Sequence, residues 1–188
     1  MILCRNHETF QPENELVNVV LYTEADCYSV TYFLRQIIPP IWHEFSPYIN
    51  LTYVPYGKAH SRVLAPNVYE FTCQHGPKEC WGNKLQNCVI DAAQNDPNRY
   101  LEEIICIQNA DEKTVIENNC TTKEALECSH GLKGSQLLYK AGERTPTPLR
   151  YVPHVVVNGQ VFGNMYRNNF KKFLCDAFVT KPKPCEGV

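Results

Sequence analysis

"TEADCYSVTYFL", residues 23 to 34, places one cysteine between a strand-like run and a helix-like run. Ahead of it, Val17 to Tyr22 (VNVVLY) is short, apolar and rich in β-branched residues, the pattern of a buried strand. Behind it, Tyr32, Phe33, Leu34, Ile37 and Ile38 recur at helical spacing until Pro39-Pro40, where the helix is expected to be interrupted. A second strand is expected at Leu51 to Pro55, ended by Tyr56-Gly57. Strand, helix, strand opens an α/β unit, with Cys27 at the helix start. Unpaired N–H groups and the helix dipole at such a place stabilise a thiolate. A second cysteine at i+3 would lie on the same face and resolve a mixed disulfide, but that position is Val30. Ser29 points to another face, and Glu24 and Asp26 oppose a thiolate by like-charge repulsion. These residues argue against a two-thiol cycle and leave one-thiol chemistry open.

The whole chain of 188 residues is long enough for one substantial core, and its formal net charge of -2 without any block of Lys or Arg argues against nucleic acid as a partner. No stretch reaches the roughly 18 apolar residues of a membrane span. Residues 60–143 read as an all-helical insertion, with helices expected at 78–94, 97–108, 112–119 and 122–142. Pro and Thr cluster at 144–153 (RTPTPLRYVP), and Asn158-Gly159 within HVVVNGQVF is a hairpin turn signal. A final amphipathic helix is expected at 169–179. The order is that of an α/β, thioredoxin-like fold: one domain over residues 1–188, its core formed by 14–58 and 144–180, with a helical, disulfide-rich insertion between them.

Ten cysteines in a domain of this size point to an oxidising, secretory compartment. Two glycosylation sequons, at Asn50 and Asn119, agree with it. Residues 1–10 (MILCRNHETF) lack the basic and apolar regions of a signal peptide, so a leader is expected to have been removed and Met1 added. Parity leaves two arrangements open. If Cys27 is free, nine cysteines remain and one more is unpaired or bonded to another chain, giving a monomer or a disulfide-linked dimer; if all ten pair, Cys4 is a candidate partner for Cys27. Cys73, His75 and Cys80 lack the paired two-residue gaps of zinc sites, so no metal or cofactor is assigned. His154 reads first as a hydrogen-bonded histidine at a strand start and second as a groove residue. Tyr28, Tyr32, Phe33 and Trp42 read as core and rim packing.

The run CQHGPKECWGNKLQNC, residues 73–88, resembles the CQHGxxECxxNxxxxC signature of the gamma-interferon-inducible lysosomal thiol reductase (GILT) family. The likeness extends through NLTYVPYG (50–57), ECSHGLKGSQLL (127–138), RYVPHVVVNG (150–159) and the last two cysteines. It implies a thioredoxin-like, glycosylated protein of a family that reduces disulfides in acidic endolysosomal compartments. By position, Cys27 matches the attacking cysteine, Val30 replaces the resolving one, and Pro153 matches a cis-proline that, with Val152, lines a substrate groove. Cys73, Cys80, Cys88, Cys106, Cys120, Cys128, Cys175 and Cys185 become structural disulfides. The lost second cysteine is most similar to insect, salivary members. The resulting expectation is a secreted protein that acts mainly by binding other proteins, host or pathogen surface proteins among the candidates. A monothiol disulfide reductase using an external thiol, in an endolysosomal or extracellular setting, is the alternative.

Overall fold

A computed structural model describes residues 16–110, 112–163 and 169–188. The apolar run ahead of Cys27 forms β1 (Val17–Thr23), with alternate residues fully buried. It runs parallel to β2 (Ile49–Pro55), from Val17 opposite Ile49 to Thr23 opposite Pro55. On its other side it pairs antiparallel with a later strand, His154–Val157, which turns at Asn158-Gly159 and pairs with Gln160–Phe162. The four form one sheet in which β1 is an interior strand. Asn158 does more than turn the chain, because its Oδ1 accepts the Asn18 N–H at 2.9 Å and ties the hairpin to β1.

After Cys27 the chain forms α1 (Tyr28–Tyr32), widens into a π-helical turn over Phe33–Ile37 and continues as α2 (Ile38–Phe45). The expected interruption at Pro39-Pro40 does not occur. Proline lacks an N–H, and here it falls in the first turn of α2, just after the widened turn, where the loss is tolerated. The continuous rod keeps Val30, Phe33, Leu34, Ile38, Ile41 and Phe45 buried on one side.

The insertion is not all helical. It opens with β3 (His60–Ala65) and β4 (Val68–Thr72), an antiparallel hairpin turned at Pro66-Asn67, where Asn67 has a φ of 62°. Most of its residues are exposed, so no apolar alternation marks it in the sequence. Helices α3 (Pro77–Ala92), α4 (Pro97–Asn109), α5 (Lys113–Val115) with a π-turn at Ile116–Cys120, α6 (Lys123–His130) and α7 (Leu132–Arg144) follow. The helix expected over 122–142 is thus broken at Gly131, which ends α6 and starts α7. With the hairpin of the insertion counted, the C-terminal strands are β5 (His154–Val157) and β6 (Gln160–Phe162), followed by α8 (Phe170–Asp176). Leu85, Tyr100, Leu101 and Ile104 of the insertion pack in one buried cluster with Val19, Leu21, Leu51 and Val155 of the sheet.

Among the described residues, four disulfides pair Cys73 with Cys80, Cys88 with Cys128, Cys106 with Cys120, and Cys175 with Cys185. All eight cysteines read as staples are used in this way. Cys4 lies outside the described residues. The Cys88–Cys128 bridge joins α3 to α6 across 40 residues, the longest separation of the four. Replacing both cysteines by alanine is expected to lower unfolding free energy by about 2–4 kcal/mol, measured by urea denaturation; an unchanged midpoint would show that apolar packing alone holds α3 against α6.

Candidate functional site

The turn between β1 and α1 presents the cysteine. Asp26 takes a left-handed conformation, with a φ of 64°, a region that Asp tolerates better than most residues. Its carboxylate accepts from Lys78 Nζ on α3 at 2.9 Å. Cys27 then stands, partly buried, at the N-cap of α1 and has no disulfide partner among the described residues. Burial is the main influence on it and raises its pKa above the ordinary 9.0. The Val30 and Ser29 amides and Lys58 favour the thiolate, Glu24 opposes it, and burial prevails. Like-charge repulsion is therefore secondary to desolvation, and Asp26 is occupied by Lys78. One turn on, Val30 is 0% exposed within the core.

The signature segment builds the wall beside this turn. The Cys73–Cys80 bridge closes a short loop, and Gly76, with a φ of 89°, leads that loop into α3. Glu79 points back into the loop, its Oε1 accepting the Gln74 N–H at 3.2 Å and its Oε2 accepting the His75 N–H at 3.0 Å. His75 Nδ1 makes a direct contact with Glu79 Oε2. The Glu79 carboxyl is raised above its ordinary pKa, chiefly by burial, with His75 acting against the rise. Further along α3, Asn83 Oδ1 accepts the Ala25 N–H at 2.8 Å, and Asn87 Nδ2 donates to the Pro55 carbonyl at 2.8 Å. Gln86 Nε2 donates to Gln108 Oε1 at 2.8 Å. Residues of this segment thus supply hydrogen bonds and a bridge around the loop carrying Cys27.

Glu24 is also 0% exposed, and its Oε2 accepts the Lys58 N–H at 3.0 Å. Gly57, with a φ of 62°, lies so close that a Cβ there would stand 2.3 Å from Glu24 Oε2. Glu24, His75 and Glu79 come together as a set of possible metal ligands. Sequence reasoning weighed Glu24 only as a charge near Cys27 and did not join it to the signature loop. The signal available was the signature's own Glu, between two cysteines with no apolar role.

The Val152-Pro153 peptide is cis and both residues are buried, in the stretch leading into β5. Val152 belongs to the buried cluster against which Cys27 packs. A cavity of about 220 Å³ is lined by Asp26 and Tyr28, the neighbours of Cys27 in the chain, with Thr31, Lys78, Trp81 and Gln108 among others. Tyr28 is 84% exposed and lines the cavity, so it is not core; Phe33 and Trp42 do pack inward. Tyr32 is exposed as well. His154 is not hydrogen-bonded through Nδ1, which is buried without a partner while the ring lies near Tyr22 and Tyr151. Burial lowers its pKa below 6.5. Asn50, on β2, and Asn119 are exposed; Asn50 Nδ2 donates to Asn18 Oδ1 at 3.0 Å.

A mixed four-stranded sheet, a cysteine at the start of the first helix and a cis-proline leading into β5 define a thioredoxin-like domain. The oxidised crystal structure of BdbD from Bacillus subtilis superposes with a TM-score of 0.59 over 86% of each chain at 15% sequence identity, a likeness of fold. Residues 18–132 match the family described as Gamma interferon inducible lysosomal thiol reductase (GILT). The chain is 34% identical over 187 residues to a GILT-like protein of Caenorhabditis elegans, covering 94% of this chain and 57% of that one. It is 28% identical over 193 residues to the mouse gamma-interferon-inducible lysosomal thiol reductase, covering 92% of this chain and 77% of the mouse protein. The chain belongs to the gamma-interferon-inducible lysosomal thiol reductase family.

Two outcomes follow from the geometry. Alkylation of Cys27 in the folded protein is expected to rise about tenfold per pH unit from pH 6 to 8 without levelling off, followed by mass spectrometry; a plateau below pH 7 would mean that the helix amides outweigh burial. Gly57→Ala is expected to destabilise the fold by more than about 1 kcal/mol in chemical denaturation, because Glu24 must move and the left-handed conformation becomes strained.

Proposed function

We propose that this GILT-family protein is secreted, lacks effective dithiol–disulfide turnover, and acts mainly by binding other proteins through the surface around Cys27. The observation that carries the reading is Val30. In a dithiol cycle the side chain one turn after the attacking sulfur must expel the bound substrate by attacking the mixed disulfide. Val30 has no nucleophile and is sealed in the core. The burial that raises the Cys27 pKa weakens the remaining thiol further. A thiol raised in this way is held in its neutral, unreactive form in acidic surroundings.

Retention of the scaffold without the second thiol favours recognition over chemistry. Exposed Tyr28 and the Asp26–Lys78 pair beside the cavity offer an aromatic anchor rimmed by charge, the composition of a protein-contact surface. Val152 and Pro153 would line the substrate groove beside Cys27. The exposure of Asn50 and Asn119 supports glycosylation at both, and the four disulfides support an oxidising destination outside the cytosol. Extracellular release is the proposed location, with lysosomal sorting as its alternative. Among the described residues no helix is long and apolar enough to cross a membrane.

The rival reading is a monothiol reductase in which Cys27 attacks a substrate disulfide and an external thiol releases it. The test is reduction of a disulfide-bonded protein by the wild type, Cys27→Ser and Val30→Cys, at pH 5 and 7, with and without glutathione. No reduction by the wild type above the glutathione background, and measurable reduction by Val30→Cys, is the expected result. Glutathione-dependent turnover by the wild type that disappears in Cys27→Ser would overturn the proposal and establish the monothiol enzyme.

A further inference from the structure

We propose that Glu24, His75 and Glu79 form a site for one divalent metal ion of borderline hardness, with Zn²⁺ as its reference ligand. The three residues each offer one ligand atom, and these atoms lie within 4.8 Å of one another. Glu24 Oε1 is 3.8 Å from His75 Nδ1, and His75 Nδ1 also meets Glu79 Oε2. Zinc bonds to nitrogen and carboxylate oxygen are about 2.0–2.2 Å, which places ligand atoms of one shell about 3–3.6 Å apart. Closing the three atoms from within 4.8 Å to that spacing would supply three protein ligands of a four-coordinate shell and leave one position open.

An independent observation points to a ligand. Glu24 is fully buried, and its Oε1 has no hydrogen-bond partner although it faces the imidazole and the second carboxylate. A buried carboxylate oxygen left unpaired is costly, and native proteins seldom keep one without a partner. The two carboxylates are also held in the way metal ligands are held. Glu24 Oε2 is fixed by the Lys58 N–H, and Glu79 by the Gln74 N–H at Oε1 and the His75 N–H at Oε2, so backbone donors orient both carboxylates and leave Glu24 Oε1 facing His75. The Cys73–Cys80 bridge and Gly57 limit the freedom of both sides of the cluster.

Charge and access agree with the assignment. Two buried carboxylates face a single imidazole, and a divalent ion would neutralise both. The His75 side chain is 35% exposed, so an ion can enter from its side and keep water in its remaining positions. One imidazole nitrogen with two carboxylate oxygens suits Zn²⁺, Mn²⁺, Fe²⁺ or Co²⁺; Ca²⁺ and Mg²⁺ prefer all-oxygen shells, and Cu⁺ prefers sulfur. The set is distinct from the Cys73, His75, Cys80 combination, whose sulfurs are consumed in a disulfide.

The test titrates metal-stripped, oxidised full-length protein with Zn²⁺ alone, in competition with a chromogenic chelator, and with Co²⁺ for its visible spectrum. One equivalent at micromolar affinity or tighter is expected, weakened at least tenfold in His75→Ala and in Glu24→Gln and unchanged in Cys27→Ser. His75 is partly exposed, so His75→Ala keeps the test decisive should a carboxylate variant fail to fold, with circular dichroism as the control. No binding at micromolar Zn²⁺ would leave the cluster as a proton-sharing His–Glu pair and overturn the proposal. Binding indifferent to His75→Ala, or abolished by Cys27→Ser, would overturn it equally.

Discussion

The hydrogen bond from the Ala25 N–H to Asn83 Oδ1 is short, buried and spans 58 residues, and the position of Cys27 depends on it. The end of an interior strand leaves backbone groups that must find partners away from water. Here the partners come from α3: Asn83 takes the Ala25 N–H, and Asn87 and Asn83 donate to the carbonyls of Pro55, the last residue of β2, and of Tyr56 after it. Losing one such partner leaves a buried group unsatisfied at about 1–3 kcal/mol. The fit is also steric, since a Cβ at Gly82 would lie 2.6 Å from the Ala25 Cβ. The helix of the insertion and the strands of the thioredoxin-like core are therefore one structure at this point.

That joint gives the signature segment a structural role independent of any redox pair. Cys73, Gly76, Cys80, Glu79, Asn83 and Cys88 each act on the fold: two close a loop, one turns it, one holds its amides, one binds the Cys27 turn, and one bridges α3 to α6. None of these roles requires a second thiol. Val30, one turn after Cys27, lies in the apolar core and takes no part in the clamp.

Much of this was legible in the sequence where burial imposes a period. VNVVLY and the helix after Cys27 lie against the core and show it; the insertion helices beginning at Pro77 and Pro97 fall within a residue or two of their expected bounds. The β3–β4 hairpin was not legible, because its pairing is a backbone property and its side chains face solvent. The run through Pro39-Pro40 was hidden for a related reason: a π-turn and a fresh first turn remove the conflict, and neither has a strong sequence mark. Eight cysteines declared themselves as staples while their pairing did not, since connectivity is set by three-dimensional approach.

The candidate site was legible by type more than by geometry. Cys27 and Val30 stood out through their spacing, yet the influence that dominates the thiol is burial, which only the folded chain reveals. Glu24 illustrates the limit most clearly. In the sequence it is a charge three residues from a cysteine; in the fold it is withdrawn from water and joined to residues 51 and 55 positions away. A carboxylate so placed is retained against its desolvation cost only where partners compensate it. One of its oxygens has a backbone partner and the other faces His75 and Glu79. The turn that carries Cys27 thus rests on a polar cluster supplied mostly by the insertion, and the electrostatics of the thiol and the architecture of the signature loop cannot be varied independently.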